Sequence, residues 1–274
     1  SDGIVFNLDF ANSASFDRVS KIARDISGSN KSVSSYGGPI FSEENLGYMK
    51  LNSASSQYLA ATGFTTMPTW SIDTYFRLDS TAKYTCIVTG EGTTSSATRN
   101  LALCIDATNP RVYAGFWNGS LWTYVRTSAI LPLNTWTHVV AEWDGLTTSA
   151  PTSVKIWING VRGTNYEWYT SATSASAASS NRIFINHDPT TNGNSYADLS
   201  LGYVRIYNRA LSEAEALQNY NATKNRFLTA NVDLSNPSQK YGNTTTETFT
   251  ATSGYGSDSF TYAVGNKAGV RLES

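Results

Sequence analysis

The chain has 274 residues, 40% of them hydrophobic, enough to bury a sizeable core as one large domain or one domain plus a fragment. Its 20 basic and 21 acidic residues leave a net charge of −1 with no Lys/Arg run, so an electrostatic footprint for nucleic acid is missing. No apolar stretch approaches the ~20 residues that span a bilayer, and a charged fraction of only 15% beside abundant Ser, Thr, Asn and Gly suits an extracellular or virion β-protein better than a cytosolic enzyme.

Short β-rich runs bounded by Gly, Asn, Asp, Ser and Pro recur along the chain: IVFNLDF, YMKLN, SQYLAAT, WSIDTYFRL, YTCIVTG and NLALCID, then WTHVVAEWD, SVKIWING, RIFIN and LSLGYVRIYN. This is the pattern of an all-β sandwich. In SIDTYFRL the apolar set is Ile72, Phe76 and Leu78, with Asp73, Tyr75 and Arg77 opposite. In SVKIWIN it is Val154, Ile156 and Ile158, with Lys155, Trp157 and Asn159 opposite. Cys86 and Cys104, the only cysteines, lie in two such runs joined by a polar stretch, an arrangement that fits a disulfide and two buried free thiols equally. His138 and His187 stand apart and no CxxC pair exists, so a zinc-type site is not expected.

The stretch VYAGFWNGSLWTYV, residues 112–125, reads as a hairpin with a two-residue turn at Asn118-Gly119, because a type I′ turn needs positive φ at both central residues. That register pairs Trp117 with Ser120, Gly115 with Trp122 and Tyr113 with Tyr124. One face then carries Tyr113, Trp117, Trp122 and Tyr124, and the other Val112, Ala114, Phe116, Leu121, Thr123 and Val125. The second face reads as core. The aromatic face, joined by Tyr75 and Trp157, is the candidate ligand-binding surface, for glycan stacking or protein contact, unless loops or the C-terminal segment fold over it. One helix is expected, in LSEAEALQNYNATK, mainly over Ser212 to Tyr220, with Ser212 as N-cap and Glu215 completing a capping box.

The order of these motifs resembles the laminin-G-like group of the concanavalin A-like lectin/glucanase superfamily. RDISGSNKSVS is similar to the family's Asp-x-Ser-Gly-x-Asn stretch, NTWTHVVAEWDG and VKIWINGVRG to its Trp-x-His-Val and Asn-Gly hairpin pair, and YVRIYNRALSEAEALQNYNA to its closing strand and helix. The resemblance covers about Ile4 to Phe227 and implies a jelly-roll sandwich of two antiparallel sheets, with His138 packed and hydrogen-bonded within the sheet. The ending RALSEAEALQNYNATKNRF, and IFINHDPTTNG with Asn186 where Gly is usual, are similar to laminin-G-like domains in structural proteins of tailed bacteriophages. This points to a virion component with virion or surface proteins as partners, homo-oligomeric, and with glycan as a further ligand. The alternative is a carbohydrate-binding or adhesion module of a secreted or cell-surface bacterial protein. The expected domains are residues 1–227, the sandwich, and 228–274, an extension in which GYGSDSFTYAVGNKAG is similar to the closing strands of Ig-like or cadherin-like modules.

Reactive groups do not gather in the sequence. Glycosidases on this superfold need two carboxylates ~5 Å apart in retaining enzymes. Here no Glu-x-Asp-x-Glu strand exists, and Glu142 alone reads as a solvated or paired side chain. No Gly-x-Ser-x-Gly, phosphate-binding loop or His-Glu-x-x-His appears, so a non-enzymatic protein is expected. Asp9, Asp25, Asp188 and Asp198, near strand ends or loops, are the candidates for a calcium site, which needs several such oxygens to converge. Each also fits a solvated loop acid.

Overall fold

The computed structural model describes residues 2–65, 67–80, 84–92, 99–107, 109–117, 122–145, 150–170, 180–188, 195–227, 246–253, 256–264 and 270–272. It divides into two compact units, residues 1–226 and 227–274. In chain order the first contains β1 (Ile4–Asp9), β2 (Phe16–Asp17), β3 (Ile22–Ala23), β4 (Ser32–Tyr36), β5 (Ile40–Ser42), β6 (Tyr48–Leu51), β7 (Tyr58–Thr62), β8 (Trp70–Leu78) and β9 (Thr85–Gly92). It continues through β10 (Arg99–Ile105), β11 (Arg111–Trp117), β12 (Trp122–Ile130), β13 (Trp136–Trp143), the single turn α1 (Ala150–Ser153) and β14 (Val154–Ile158). Then come β15 (Val161–Arg162), β16 (Asn165–Thr170), β17 (Ser180–Ile185), β18 (Leu199–Tyr207) and the helix α2 (Glu213–Phe227). The second unit holds β19 (Thr246–Ser253), β20 (Gly256–Val264) and β21 (Val270–Leu272), an antiparallel three-stranded sheet.

Two eight-stranded antiparallel sheets form the sandwich. The back sheet runs β15-β14-β13-β8-β18-β6-β5, with β1 also paired to β18, and the front sheet runs β16-β12-β11-β10-β9-β17-β7-β4. The expected jelly roll of two antiparallel sheets is the fold observed. Alternation put the core where it belongs: Ile72, Phe76, Leu78, Val154 and Ile156 from the back sheet meet Val112, Ala114, Phe116, Leu103 and Ile183 from the front. The Phe116 ring packs on Trp143 with centroids 4.6 Å apart.

The turns show which short signals carried the register. At Asn159-Gly160 both residues have positive φ (51° and 78°) and Ile158 pairs with Val161, so this Asn-Gly is a two-residue hairpin turn. The Asn118-Gly119 expectation is corrected. Trp117 pairs with Trp122, Gly115 with Tyr124 and Tyr113 with Arg126, which leaves residues 118–121 as the connection, outside the described residues. The shift is by two positions, and a side-chain period of two cannot distinguish registers that differ by two. The face assignments therefore survive while the partners change: Thr123 and Val125 are buried, and Tyr124 lies across from Gly115.

Helix α2 begins as its sequence dictates. The Glu215 amide donates to Ser212 Oγ and Glu215 Oε2 accepts from the Ser212 amide, a reciprocal capping box. The helix runs to Phe227 rather than stopping near Tyr220, because its second half is anchored: Asn219 Nδ2 donates to Asp73 and Arg226 enters a socket of backbone carbonyls. Asn186, where the resembled motif has Gly, takes the left-handed conformation itself (φ 61°). Its amide then donates to Gln57 O and Ala197 O and accepts from the Ala197 amide, tying β17 to the approach of β18.

Candidate functional site

The outer face of the front sheet carries a row of rings. Tyr36 and Tyr58 stack 4.5 Å apart on β4 and β7; Tyr58 continues to His187 at 4.6 Å; and His187 stacks on Tyr196 at 4.8 Å. Further along, Tyr84 stacks on Tyr113 at 5.6 Å, and Tyr113 meets Tyr124 at 5.8 Å. Guanidinium groups lie over these rings, Arg182 over Phe184 and Arg126 over Tyr113 and Tyr124. Small residues form the floor. Ala60 and Ala102 are buried, and Gly115 lets β11 and β12 approach so closely that a Cβ there would lie 2.0 Å from Thr123 O.

Cys86 and Cys104 resolve the open alternative as a disulfide, directly opposite one another on β9 and β10. A register irregularity makes this alignment, since Ile87 and Val88 both enter the core. Exposure along the row is uneven. Tyr36 is 44% exposed and Tyr124 half-buried, whereas Tyr113 (7%) and Phe184 (4%) are covered. The side chains of Trp117 and Trp122 lie outside the described residues, although their backbones pair.

His187 sits in this row at 6% exposure, and its Nδ1 has no hydrogen-bond partner among the described residues. Burial lowers its pKa to about 4, against an opposing pull from Asp188. The unfolded chain therefore binds a proton near pH 6.5 that the folded chain refuses until about pH 4. Stability is full above pH 6.5 and falls as pH drops through that window. With partial screening by solvent, about 1–2 kcal/mol is expected to be lost. Urea midpoints from pH 7 to pH 4 should show this slope flattened in His187→Gln; an unchanged slope would remove His187 as its source.

Tyr75 and Trp157 do not join the row. They lie on the back sheet, 2% and 1% exposed, so their assignment to the ligand surface is corrected. Alternation turned them away from the core, but α2 and the segment before it close over that face. Trp157 packs against Val140, Tyr207, Leu211 and Ala216, and Tyr75 lies among Trp136, His138 and Tyr203. Beneath the helix is a polar network that pattern reading did not single out. Asp73 Oδ1 contacts His138 Nε2 at 2.8 Å and accepts from Tyr203 Oη at 3.0 Å, while Oδ2 accepts from Asn219 at 2.9 Å. Burial alone would raise the Asp73 carboxyl, but His138, Arg205 and Tyr203 hold it below its ordinary value. Burial, then the Asp73 charge, raises the Tyr203 phenol well above its own. His138 hydrogen-bonds within the sheet as expected, and the network fastens α2 to it.

The four calcium candidates do not converge. Asp9 binds Arg226 Nη1 at 2.6 Å. Asp25 accepts from the Asn7, Ser27 and Lys31 amides, shaping the turn before β4. Asp198 accepts from the Ser53 amide and Ser80 Oγ, and buried Asp188 adjoins His187. Among the described residues no three His, Cys, Asp or Glu side chains could share a metal ion, so the calcium site drawn from these four is corrected: Asp9 serves an ion pair, and Asp25 and Asp198 hold loop amides.

The two sheets, the strand order and the aromatic outer face define a lectin-type jelly roll. A laminin-G-type family profile of the concanavalin A-like lectin/glucanases superfamily matches residues 47–216, and the chain belongs to that superfamily. No curated protein matches it in sequence. Among solved structures it is similar to the botulinum neurotoxin serotype G binding domain (TM-score 0.59, 16% identity, 80% of this chain and 51% of that one). It is also similar to the binding domain of Paraclostridial Mosquitocidal Protein 1 (0.59, 14%, 96% and 64%) and to the botulinum neurotoxin serotype C1 binding domain (0.58, 14%, 81% and 52%). The chain thus spans about half to under two thirds of these structures, and at such identities the likeness is one of fold.

Proposed function

We propose that this chain is a non-enzymatic recognition module that holds a glycan, or a glycan-bearing receptor, on the outer face of its front sheet. The observation that carries this reading is the row of rings and guanidinium groups there, with Tyr36 and Tyr124 reaching solvent at its two ends. Ring faces suit sugar stacking, and arginines suit the hydroxyl and carboxylate oxygens of a glycan. Trp117, Trp122 and Tyr124 are its proposed contacts on the β11–β12 hairpin, with the covered Tyr113 packed against Tyr124. The solved neighbours lend support: cell entry of botulinum neurotoxin type C is dependent upon interaction with two ganglioside molecules, and a botulinum neurotoxin DC binding domain is seen in complex with rat synaptotagmin II.

Glycan-array binding should fall at least about tenfold in Tyr124→Ala and Tyr36→Ala, the loss of one stacking contact of ~1.4 kcal/mol, while melting temperature shifts little. Binding unaffected by either change would sink the assignment. The setting we propose is a virion, with homo-oligomeric contacts, on the strength of the closing motif RALSEAEALQNYNA. Detection of the chain in purified phage particles tests it; finding it only on bacterial surfaces favours an adhesion module.

A further inference from the structure

Strands β4 and β5 end the front and back sheets on one side of the sandwich, and residues 37–39 connect them. A slot of about 460 Å³ opens there, beside the β2–β3 hairpin. Its floor is apolar: Phe16, Met49 and Leu59 are each at most 4% exposed. On its walls Lys21 and Ile40 are exposed and Phe41 is half-buried, so these three can be reached from solvent. The Phe41 ring stacks on Phe16 with centroids 4.8 Å apart, and Arg18 and Lys21 lie over it at 5.4 and 5.7 Å. Exposed aliphatic side chains frame the opening. They are Val19 (92%) and Ile22 on the hairpin, Ile40 (62%) on β5, and Leu46 (67%), whose carbonyl accepts from Arg18. Lys21 and Leu46 also take positive φ, 58° and 64°, where glycine is free of strain and a long side chain is not. Strain kept at two exposed side chains beside one slot points to a use for those side chains.

We infer that this slot binds a straight-chain fatty carboxylate of about ten carbons, its chain against the Phe16–Met49–Leu59 floor and its head at Lys21. The lining decides the class. Lys21 is the one charged side chain among the described residues that line the slot, and no Asp or Glu lines it. A single negative charge therefore meets one cation and no repulsion, whereas a cationic head meets only Lys21. The ammonium donates to the carboxylate oxygens, and the chain covers the apolar floor. A small inorganic anion would leave that floor unused, and a polyol would bury hydroxyls against groups that offer them no partner. The size agrees: at about 30 Å³ per heavy atom the slot has room for roughly 15 such atoms, and decanoate has about a dozen. A ligand of that size binds with a Kd on the order of 1 mM. The inference does not rest on the front-sheet reading, because Ser35, which lines the slot, lies on the face of β4 opposite Tyr36.

The chain's two methionines make the test direct. In the full chain labelled with ¹³C at the methionine methyls, Met67→Leu assigns the two signals. Met49 lies on the slot floor and Met67 does not line it. Hexanoate, octanoate and decanoate are titrated to about 10 mM, with decyltrimethylammonium as the cationic comparison. Decanoate should move the Met49 signal saturably and leave Met67 in place. Octanoate should bind about fifteenfold more weakly, since each buried methylene is worth about fourfold. Lys21→Met should weaken decanoate about tenfold and leave the response to the ammonium compound unchanged. Ile40→Asp, which sets a like charge on the wall, should weaken decanoate at least as much. Both side chains are exposed, and thermal melts of the two variants check that the fold is kept. A Met49 signal that no carboxylate moves overturns the inference, as does equal binding of decanoate and decyltrimethylammonium. Sedimentation of the chain with phosphatidylglycerol vesicles, without any response to decanoate, would make this surface a membrane contact instead and overturn it too.

Discussion

Arg226→Ala is expected to cost about 3–5 kcal/mol of stability, the range for stripping one partner from a buried ion pair. The guanidinium is 10% exposed and uses its planar fork fully. Nη1 contacts Asp9 at 2.6 Å, Nη2 donates to Gly47 O and Gly202 O at 2.5 and 3.2 Å, and Nε donates to Asn45 O at 3.0 Å. Removing it leaves the Asp9 carboxylate and three carbonyls short of donors at once. Arg226→Lys should recover little, because one ammonium cannot span acceptors arranged around a flat fork. Urea unfolding of both variants provides the measurement. A loss under about 1 kcal/mol in Arg226→Ala would mean that α2 is held by its apolar face and the Asp73 network alone.

The second large effect is expected from one methyl group. A Cβ at Gly115 would lie 2.0 Å from Thr123 O and 2.6 Å from Tyr124 Cα, backbone atoms that cannot rotate away. Gly115→Ala must therefore push β11 from β12, at about 3 kcal/mol or more, the upper end of overpacking costs. Gly163→Ala is the matched control. Its nearest neighbour would be the Thr127 methyl at 3.0 Å, a side-chain atom with room to yield, and about 1 kcal/mol or less is expected there. Equal melting temperatures for the two variants would show that the hairpin relaxes freely. Because Gly115 lies opposite Tyr124, glycan binding should fail along with stability in Gly115→Ala.

How far the sequence could be read depended on the length scale of each constraint. Local chemistry was legible. The Ser212–Glu215 capping box, the Asn159-Gly160 turn and the inward set Ile72, Phe76 and Leu78 depend on neighbours a few residues away. Parity was legible too, so Thr123 and Val125 fell on the core face even though the hairpin register was two positions off. What lies above a sheet was not. Trp157 and Tyr75 face away from the core, and only the return of residues 207–220 over the back sheet decides that they are covered. Asp73 likewise read as an outward strand acid, because its partners His138, Tyr203 and Asn219 stand 65, 130 and 146 positions away. The disulfide needed the irregularity at Ile87–Val88, which spacing alone does not reveal.

The pairing of β1 with β18 also dictates an order of birth. Strand β18 lies between β8 on one side and β6 and β1 on the other, so the back sheet has no centre until it exists. At roughly 5–20 residues per second, a ribosome needs about 10–40 s to travel from Ile4 to Tyr207. The run from β9 to β12 has no such wait, since each strand there pairs with the next in sequence. These four strands can thus pair while β17, which joins β9 to β7, and β18 are still being translated. During that interval β1, β6 and β8 carry unmatched edges, and a nascent chain stalled before Leu199 is the species most exposed to chaperones and to aggregation.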